Sequence, residues 1–145
     1  MEIRKKILVI NGPNINMLGI REPEIYGSES YADLIEICQQ AAEDCGCAVE
    51  VYQSNHEGDL IDKIQSARGS CCGIVINAGG YSHTSVAILD ALRAVSLPAV
   101  TVHISDIEKR EEFRRQDLMA LYADKKIAGI GLACYKEAIY YLAQK

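Results

Sequence analysis

The sequence has no long hydrophobic run and no basic stretch. The apolar segment near the start covers only Ile7 to Ile10 and breaks at Gly12-Pro13, which is too short for a membrane span or for the core of a signal peptide. The formal net charge is -5, and lysine and arginine do not form the positive stripe that duplex nucleic acid requires. These absences predict a cytoplasmic protein that binds neither membrane nor nucleic acid, although an arginine-lined pocket could still hold an anionic substrate.

Tryptophan is absent, phenylalanine occurs once, and only three histidines are present. His56, His83 and His103 are too widely spread to form a metal-ligand motif. The six cysteines include Cys45-Gly46-Cys47 and Cys71-Cys72, which lack the paired two-residue spacing of zinc sites. We therefore expect no metal and interpret the cysteines as reduced thiols that behave as small hydrophobic residues.

No internal repeat, low-complexity tract or linker divides the chain. Its 145 residues, 49% hydrophobic and 24% charged, suit one globular domain spanning residues 1–145. Five apolar segments predict strands buried on both faces: Ile7–Asn11, Ala48–Gln53, Gly73–Asn77, Ala99–Ile104 and Ile127–Leu132. A helical pattern follows each strand, and the fourth, around Glu111 and Phe113, is short. Strand and helix alternating five times predict an α/β fold with a parallel sheet between helices, in the flavodoxin-like order 2-1-3-4-5.

In such a sheet, ligands bind beyond the carboxyl ends of the strands. After the first strand, the connection from Asn11 to Gly27 has about 17 residues, more than a usual loop between strand and helix. It holds close asparagines, an arginine and a tyrosine. It is either a lid over a ligand or a merely long surface loop.

The third and fourth strands also end in polar segments. Asn77 is followed by two glycines, which allow a ligand close to the backbone, and then by Ser82 to Ser85 at a helix start, which could bind an anion or simply cap the helix. Capping leaves Asn77 and His83 unexplained. His103 ends the fourth strand ahead of a serine and two arginines, which favours a catalytic histidine. His56, by contrast, lies at a helix start that Ser54 or Asn55 would cap, and its expected role is structural.

These four segments together resemble the type II 3-dehydroquinate dehydratases. They are Asn11 to Gly27, Gln53 to Gly58, Asn77 to Ser85, and His103-Ile104-Ser105 with the following Arg110 to Arg114. The resemblance runs in order from about residue 7 to the C-terminus. It implies a flavodoxin-like fold, a dodecamer of trimers, and neither metal nor organic cofactor. The implied reaction is the reversible loss of water from 3-dehydroquinate to give 3-dehydroshikimate through an enolate, a step of aromatic amino acid biosynthesis in the shikimate pathway.

The resemblance also implies roles for individual residues. Tyr26 matches the base, and Arg21 on the same loop matches the lid arginine that favours its phenolate. Asn14 matches the residue that positions a water beside the enolate oxygen, and His103 matches the acid that protonates the departing hydroxyl. The groups matching substrate-binding positions are Asn77, Ser105 and the Ile104 backbone N–H for the carboxylate, His83 and Arg114 for the ring hydroxyls, and Asp90 facing a neighbouring subunit's site.

Three positions depart from the family pattern. Thr101 stands where the family usually has a glutamate, on the same strand face as His103. Threonine cannot supply the charge that favours an imidazolium, so we expect a slower acid step unless Glu108 or Glu111 substitutes, and a gain for Thr101→Glu. Asp106 replaces the usual asparagine and would weaken binding of an anion if ionised there. Asp117 stands where the family often has serine.

Two alternatives remain open from the sequence. One is a family homologue with altered or lost activity that binds a related cyclic hydroxy acid. The other is a different flavodoxin-like protein, but a phosphoacceptor receiver would need acidic residues where Asn11 and Asn77 stand. An FMN carrier would need a hydroxyl-rich and glycine-rich phosphate loop in place of Gly12-Pro13-Asn14.

Overall fold

The five strands form one parallel sheet in the order β2-β1-β3-β4-β5. The structure is a computed structural model that describes residues 4–20, 22–26 and 28–145, with only the backbone described at Pro23 and Tyr26. The strands are β1 Lys6–Asn11, β2 Ala48–Gln53, β3 Gly73–Asn77, β4 Ala99–His103 and β5 Lys125–Ala128. The predicted fold class and strand order are confirmed.

Helices cover both faces of the sheet. The α-helices are α1 Pro23–Tyr26, α2 Tyr31–Asp44, α3 Glu57–Ser66, α4 Val86–Val95 and α5 Ala133–Ala143. Short 3₁₀ turns lie at Ile15–Met17, Gly79–His83, Ile107–Lys109, Glu112–Arg114 and Leu118–Leu121. Helices α2 and α5 pack on one face of the sheet, and α3 and α4 pack on the other.

The two cores follow from the alternation of side chains along each strand. Ile7 and Val9 of β1 lie in the core beneath α2 and α5. Leu8 and Ile10, their neighbours in sequence, lie in the core beneath α3 and α4. Because both faces are covered, the central strands need apolar residues at every position, and this need produces the unbroken Val and Ile runs of the sequence.

Side-chain hydrogen bonds fix where two of the helices begin. The Ser30 hydroxyl accepts from the backbone N–H of Asp33 at 3.2 Å, and the Asp33 carboxylate accepts from the Ser30 N–H at 2.8 Å. This reciprocal pair satisfies donors that the first turn of α2 would leave unpaired. The Ser85 hydroxyl caps α4 by accepting from the Ile88 N–H at 3.0 Å, which is one of the two roles that the sequence left open for Ser82 to Ser85.

Strand β5 differs from the predicted Ile127–Leu132. It begins earlier, at Lys125, and ends at Ala128. The chain leaves the sheet there because Gly129 and Gly131 take φ angles of 83° and 66°, which a strand does not allow. The exposed Lys125 and Lys126 form the start of this outermost strand. Their charge hid the strand from a search for apolar runs.

The cap of α3, the predicted fourth helix and the end of β4 also differ from the prediction. His56, the residue that precedes α3, makes no capping side-chain bond, and the Ser54 hydroxyl instead accepts from the His56 N–H at 3.0 Å. The predicted fourth helix is only a 3₁₀ turn at Glu112–Arg114. Strand β4 ends at His103 rather than Ile104.

All six cysteines are unpaired thiols. Burial raises the pKa of the Cys38 thiol to about 12, so this cysteine stays protonated and acts as a core residue.

Over the residues that the structure describes, none of the helices has the length and apolar character needed to cross a membrane.

Candidate active site

A cavity of about 200 Å³ opens at the carboxyl ends of β1, β3 and β4. Its walls come from the last residues of β3 and β4 and from the segments that follow the three strands: Pro13, Asn14, Ile15, Asn77, Gly79, Gly80, His83, His103, Ile104, Ser105, Ile107, Arg110 and Arg114. This is the edge where parallel α/β sheets bind ligands. The lining mixes amides, imidazoles, a hydroxyl and guanidinium groups, which suits a small anionic and hydroxylated ligand.

The floor of the cavity is a buried chain of hydrogen bonds. Asn11 and Asn77 are paired neighbours at the ends of β1 and β3. The Tyr135 hydroxyl from α5 donates to Asn11 Oδ1 at 2.6 Å and accepts from Asn77 Nδ2 at 2.9 Å. Burial raises the pKa of Tyr135 well above its ordinary value, so the hydroxyl keeps its proton and can donate. Asn77 Oδ1 also accepts from the Gly79 N–H at 3.2 Å, and these contacts fix the orientation of the Asn77 amide.

The loops after β1 and β3 meet backbone to backbone. The Gly12 N–H donates to the Asn77 carbonyl at 2.8 Å, and a Cβ on Gly12 would lie 2.3 Å from the carbonyl oxygen of Ala78. Gly79 has a φ of +62°, and its own Cβ would lie 2.9 Å from the carbonyl oxygen of Pro13. Only glycine fits both places, so the two glycines set how closely the cavity walls approach.

Asn14 adopts the left-handed conformation, with φ 71°, and its backbone N–H donates to Asn55 Oδ1 at 3.1 Å. Gln53 Nε2 donates to the same oxygen at 3.1 Å and to the Gly12 carbonyl at 3.2 Å. The segment after β2 therefore supports the loop that carries Asn14. Asparagine tolerates this backbone region better than most residues.

His103 forms a buried contact with a carboxylate. Its Nε2 lies 2.6 Å from Asp117 Oδ2, and the Thr101 hydroxyl donates to the same oxygen at 2.7 Å. The Asp117 side chain is only 1% exposed. Burial pushes the pKa of the Asp117 carboxyl upward, but the hydrogen bond and charge of His103, with help from the Thr101 hydroxyl, outweigh it and hold that pKa below its ordinary value.

Two arginines and His83 form another part of the cavity wall. Arg110 Nη1 donates to the Ser105 hydroxyl at 3.3 Å, and Arg114 Nε lies 2.8 Å from Glu111 Oε2. His83 Nδ1 lies 2.7 Å from the Gln116 carbonyl oxygen. A carbonyl only accepts, so Nδ1 carries the hydrogen and Nε2 remains for a ligand. This part of the wall therefore offers positively charged hydrogen-bond donors beside one imidazole.

Comparison with known proteins gives the family. The family model for dehydroquinase class II matches residues 5–143. The chain belongs to the class II dehydroquinase family. It is thus an enzyme of the hydro-lyase class. The 3-dehydroquinate dehydratase of Rhodopseudomonas palustris is 51% identical over 142 residues, 97% of this chain and 94% of that protein. The 3-dehydroquinate dehydratase of Corynebacterium glutamicum is 51% identical over 138 residues, 95% of each chain. The type II dehydroquinase from Butyrivibrio crossotus superimposes with a TM-score of 0.94 at 49% identity, covering 96% of this chain and 97% of its own.

Most residues that the sequence assigned to a dehydroquinase site line this one cavity. They are Asn14, Asn77, His83, His103, Ile104, Ser105 and Arg114. Asp90 does not line it and lies exposed on α4. Arg21 lies outside the described residues. Tyr26 ends α1, and its side chain is likewise not described. The roles of all these residues stay predictions.

The structure changes the interpretation of the positions that depart from the family pattern. Asp106 is absent from the cavity lining, and its Oδ1 accepts from the Glu108 N–H at 3.1 Å. Asp106 therefore caps the turn at Ile107–Lys109. Its place outside the cavity does not support the expectation that it weakens anion binding. The expected stand-ins for the missing glutamate do not contact His103, because Glu108 pairs with Lys126 and Glu111 pairs with Arg114.

Sequence reasoning missed the residue that does contact His103. Asp117 comes from the turn at Leu118–Leu121, 14 residues further along the chain. The sequence did contain a signal: relative to the family pattern, a carboxylate is missing at position 101 and an additional one is present at position 117. Reasoning from the sequence also missed Tyr135, because a tyrosine within an apolar helical pattern looks like an ordinary core residue.

Because the pKa of Asp117 is lowered in the folded protein, the difference in stability between the native protein and Asp117→Asn depends on pH. A carboxyl group whose pKa is lower in the folded protein stabilises it fully above the unfolded value of about 3.9, and this contribution is lost as the pH falls through the folded value. We expect the stability advantage of the native protein over Asp117→Asn to be complete at pH 5 and to shrink steadily below about pH 4. Urea unfolding at several pH values measures it, and a constant difference down to pH 2.5 would contradict the paired carboxylate.

Proposed function

We propose that this enzyme removes water reversibly from 3-dehydroquinate to give 3-dehydroshikimate, with His103 as the acid and Tyr26 as the base. Its relatives from Rhodopseudomonas palustris and Corynebacterium glutamicum are named for this substrate, which supports the proposal. The single observation that carries the proposal is a buried imidazole in contact with a carboxylate, on the wall of a cavity that also has amide and guanidinium groups.

His103 serves the leaving group. The hydroxyl that departs from the ring takes the electron pair of the breaking C–O bond and needs a proton to leave as water. The imidazolium form of His103 supplies that proton as a general acid. Nε2 is occupied by Asp117, so Nδ1 is the nitrogen that faces the substrate.

Tyr26 serves the carbon beside the ketone. A free tyrosine has a pKa of about 10, so it ionises near neutral pH only with a positive neighbour, and Arg21 on the same connection provides it. The base removes the proton and leaves an enolate, whose oxygen a water positioned by Asn14 stabilises. Closure of the connection that carries Arg21 and Tyr26 would exclude bulk water and complete the site.

The remaining polar groups of the cavity hold the substrate. Asn77, Ser105 and the backbone N–H of Ile104 bind its carboxylate. His83 and Arg114 bind its ring hydroxyls. The fixed Asn77 amide and the Ser105 hydroxyl present these groups in defined directions, which lowers the entropy lost on binding. Asp90 is exposed on α4, where it could face the site of another subunit.

We further propose the setting in which the enzyme acts. It works without metal or organic cofactor as one domain, in the shikimate route to aromatic amino acids. It assembles as a dodecamer of trimers in the cytoplasm, where unpaired thiols are expected. Exposed apolar side chains at Val86, Phe113 and Leu121 offer surface for contacts between copies. Sedimentation velocity measures the assembly.

A turnover assay tests the function. The product is a conjugated enone, so its formation from 3-dehydroquinate is followed by ultraviolet absorbance. We expect steady turnover by the native protein and a kcat lower by about 10²–10⁴-fold for His103→Gln, which lacks the acid. His56→Gln is the matched control, because His56 is an exposed histidine outside the cavity lining. Binding of a shikimate-like acid without any turnover would instead favour a homologue that has kept the site and lost the reaction.

A further inference from the structure

Asp117 is held in place by contacts that do not involve His103. Its Oδ1 accepts from the Met119 N–H at 2.9 Å and so caps the turn at Leu118–Leu121. The Ala120 N–H donates to the Asp117 backbone carbonyl at 3.2 Å. Because the backbone fixes one carboxylate oxygen, the position of the other is also fixed.

The second oxygen, Oδ2, receives two side chains from β4. Thr101 and His103 are two residues apart on the same face of the strand, and they lie 2.7 and 2.6 Å from this oxygen. An ionised carboxylate only accepts hydrogen bonds. The Thr101 hydroxyl and the His103 Nε2 must therefore both donate, which places the ring hydrogen on Nε2. Among the residues that the structure describes, none makes a hydrogen bond to Nδ1 of His103.

We propose that Asp117 is the positioning carboxylate of His103: it directs Nε2–H away from the cavity and Nδ1 into it, and its charge stabilises the imidazolium that protonates the departing hydroxyl. This inference rests on the proposed dehydration. In the acid step the C–O bond breaks, the oxygen takes the proton from Nδ1, and the ring is left neutral. Asp117 stays ionised throughout and exchanges no proton with the substrate.

The arrangement explains why position 101 carries threonine. A glutamate at this position would bring a second carboxylate to the buried place that Asp117 occupies, and two negative charges there repel each other. We therefore expect Thr101→Glu to lower kcat, which reverses the gain expected from the sequence alone. Threonine instead gives Asp117 a neutral donor and leaves the charge of the carboxylate for the imidazole.

The variant Asp117→Asn removes the negative charge but keeps the capping role, because asparagine caps a helical turn about as well as aspartate. We expect Asp117→Asn to lower kcat by roughly 10-fold to 100-fold, part of the acceleration that a general acid provides, with KM changed less than about 3-fold. One limb of the pH profile of kcat should move toward lower pH, because the imidazolium loses its anionic neighbour. The limb set by the base should stay.

Other titratable groups that line the cavity or come from the elements packed against β4 include His83, Arg110, Arg114, Lys125, Lys126, Cys134, Tyr135, Lys136 and Glu137. All of them are present in both the native protein and Asp117→Asn, so a shift between the two profiles belongs to Asp117. Asp106→Asn is the matched control, because Asp106 is also an aspartate that caps a 3₁₀ turn and lies outside the cavity lining. We expect its kcat and pH profile to equal those of the native protein.

Moving the carboxylate gives the decisive comparison. Thr101→Glu combined with Asp117→Ser restores a single carboxylate beside His103, and we expect it to recover at least about 10-fold in kcat over Asp117→Ser alone. A native protein with no turnover would refute the proposed function. An active native protein whose Asp117→Asn variant keeps its kcat and pH profile would overturn the inference and leave the dehydration standing.

Discussion

Tyr26→Phe is expected to lower kcat by about 10³-fold or more, because a general base contributes 10²–10⁴-fold and phenylalanine has no group that can take a proton. The substitution removes one oxygen and keeps the ring. KM should change far less than kcat, since the phenolate acts on the proton in the transition state rather than on substrate binding. The enone absorbance assay measures both constants.

Tyr140→Phe is the control for this variant. Tyr140 is on α5, and its hydroxyl donates to Asp44 at 2.9 Å. It is not part of the cavity lining. We expect its kcat to be unchanged. Full activity in Tyr26→Phe would remove the proposed base, while equal losses in both variants would point to a general effect on the fold.

Gly12→Ala should be the most destabilising single-methyl addition at the site. The new Cβ would lie 2.3 Å from the Ala78 carbonyl oxygen and 2.6 Å from its carbonyl carbon, and backbone atoms cannot rotate away as a side chain can. We expect the free energy of unfolding to fall by about 3 kcal/mol or more. A domain of this size has only about 5–15 kcal/mol in total, so the loss should be clear in urea unfolding.

Gly58→Ala is the matched comparison. Gly58 lies in α3, and a Cβ there meets no atom within 4 Å. Because alanine favours the helix and restricts the unfolded chain, we expect this variant to be more stable by about 0.5 kcal/mol. If Gly12→Ala matched Gly58→Ala, the close contact between the loops after β1 and β3 would be wrong.

The sheet was predictable because burial on both faces leaves a direct pattern in the sequence. The apolar runs predicted β3 with its observed bounds and β1 with a start one residue too late. Strand β5 was placed too late because its first residues are lysines at an exposed edge, where the pattern no longer applies. The end of β5 is set by the backbone angles of Gly129. The apolar residues after this glycine favoured a longer strand, but the local backbone conformation ends it.

The site was predictable only in its local parts. A histidine at the end of a strand and asparagines at neighbouring strand ends follow from topology, since parallel strands bring their carboxyl ends together. The contact of His103 with Asp117 depends on where an irregular turn returns to the sheet, and no periodicity encodes that return. Glu108 and Glu111 were nearer in sequence and acidic, but each pairs with a basic side chain instead.

The exposed lysines of β5 limit how the sheet can grow. An outermost strand has unpaired backbone groups along its free side, and a strand from another chain could add there to form a continuous ribbon. Lys125 and Lys126 place two positive charges on this short strand, and two copies aligned there would repel each other. This repulsion opposes edge-to-edge joining of molecules through β5, one of the two outer strands of the sheet.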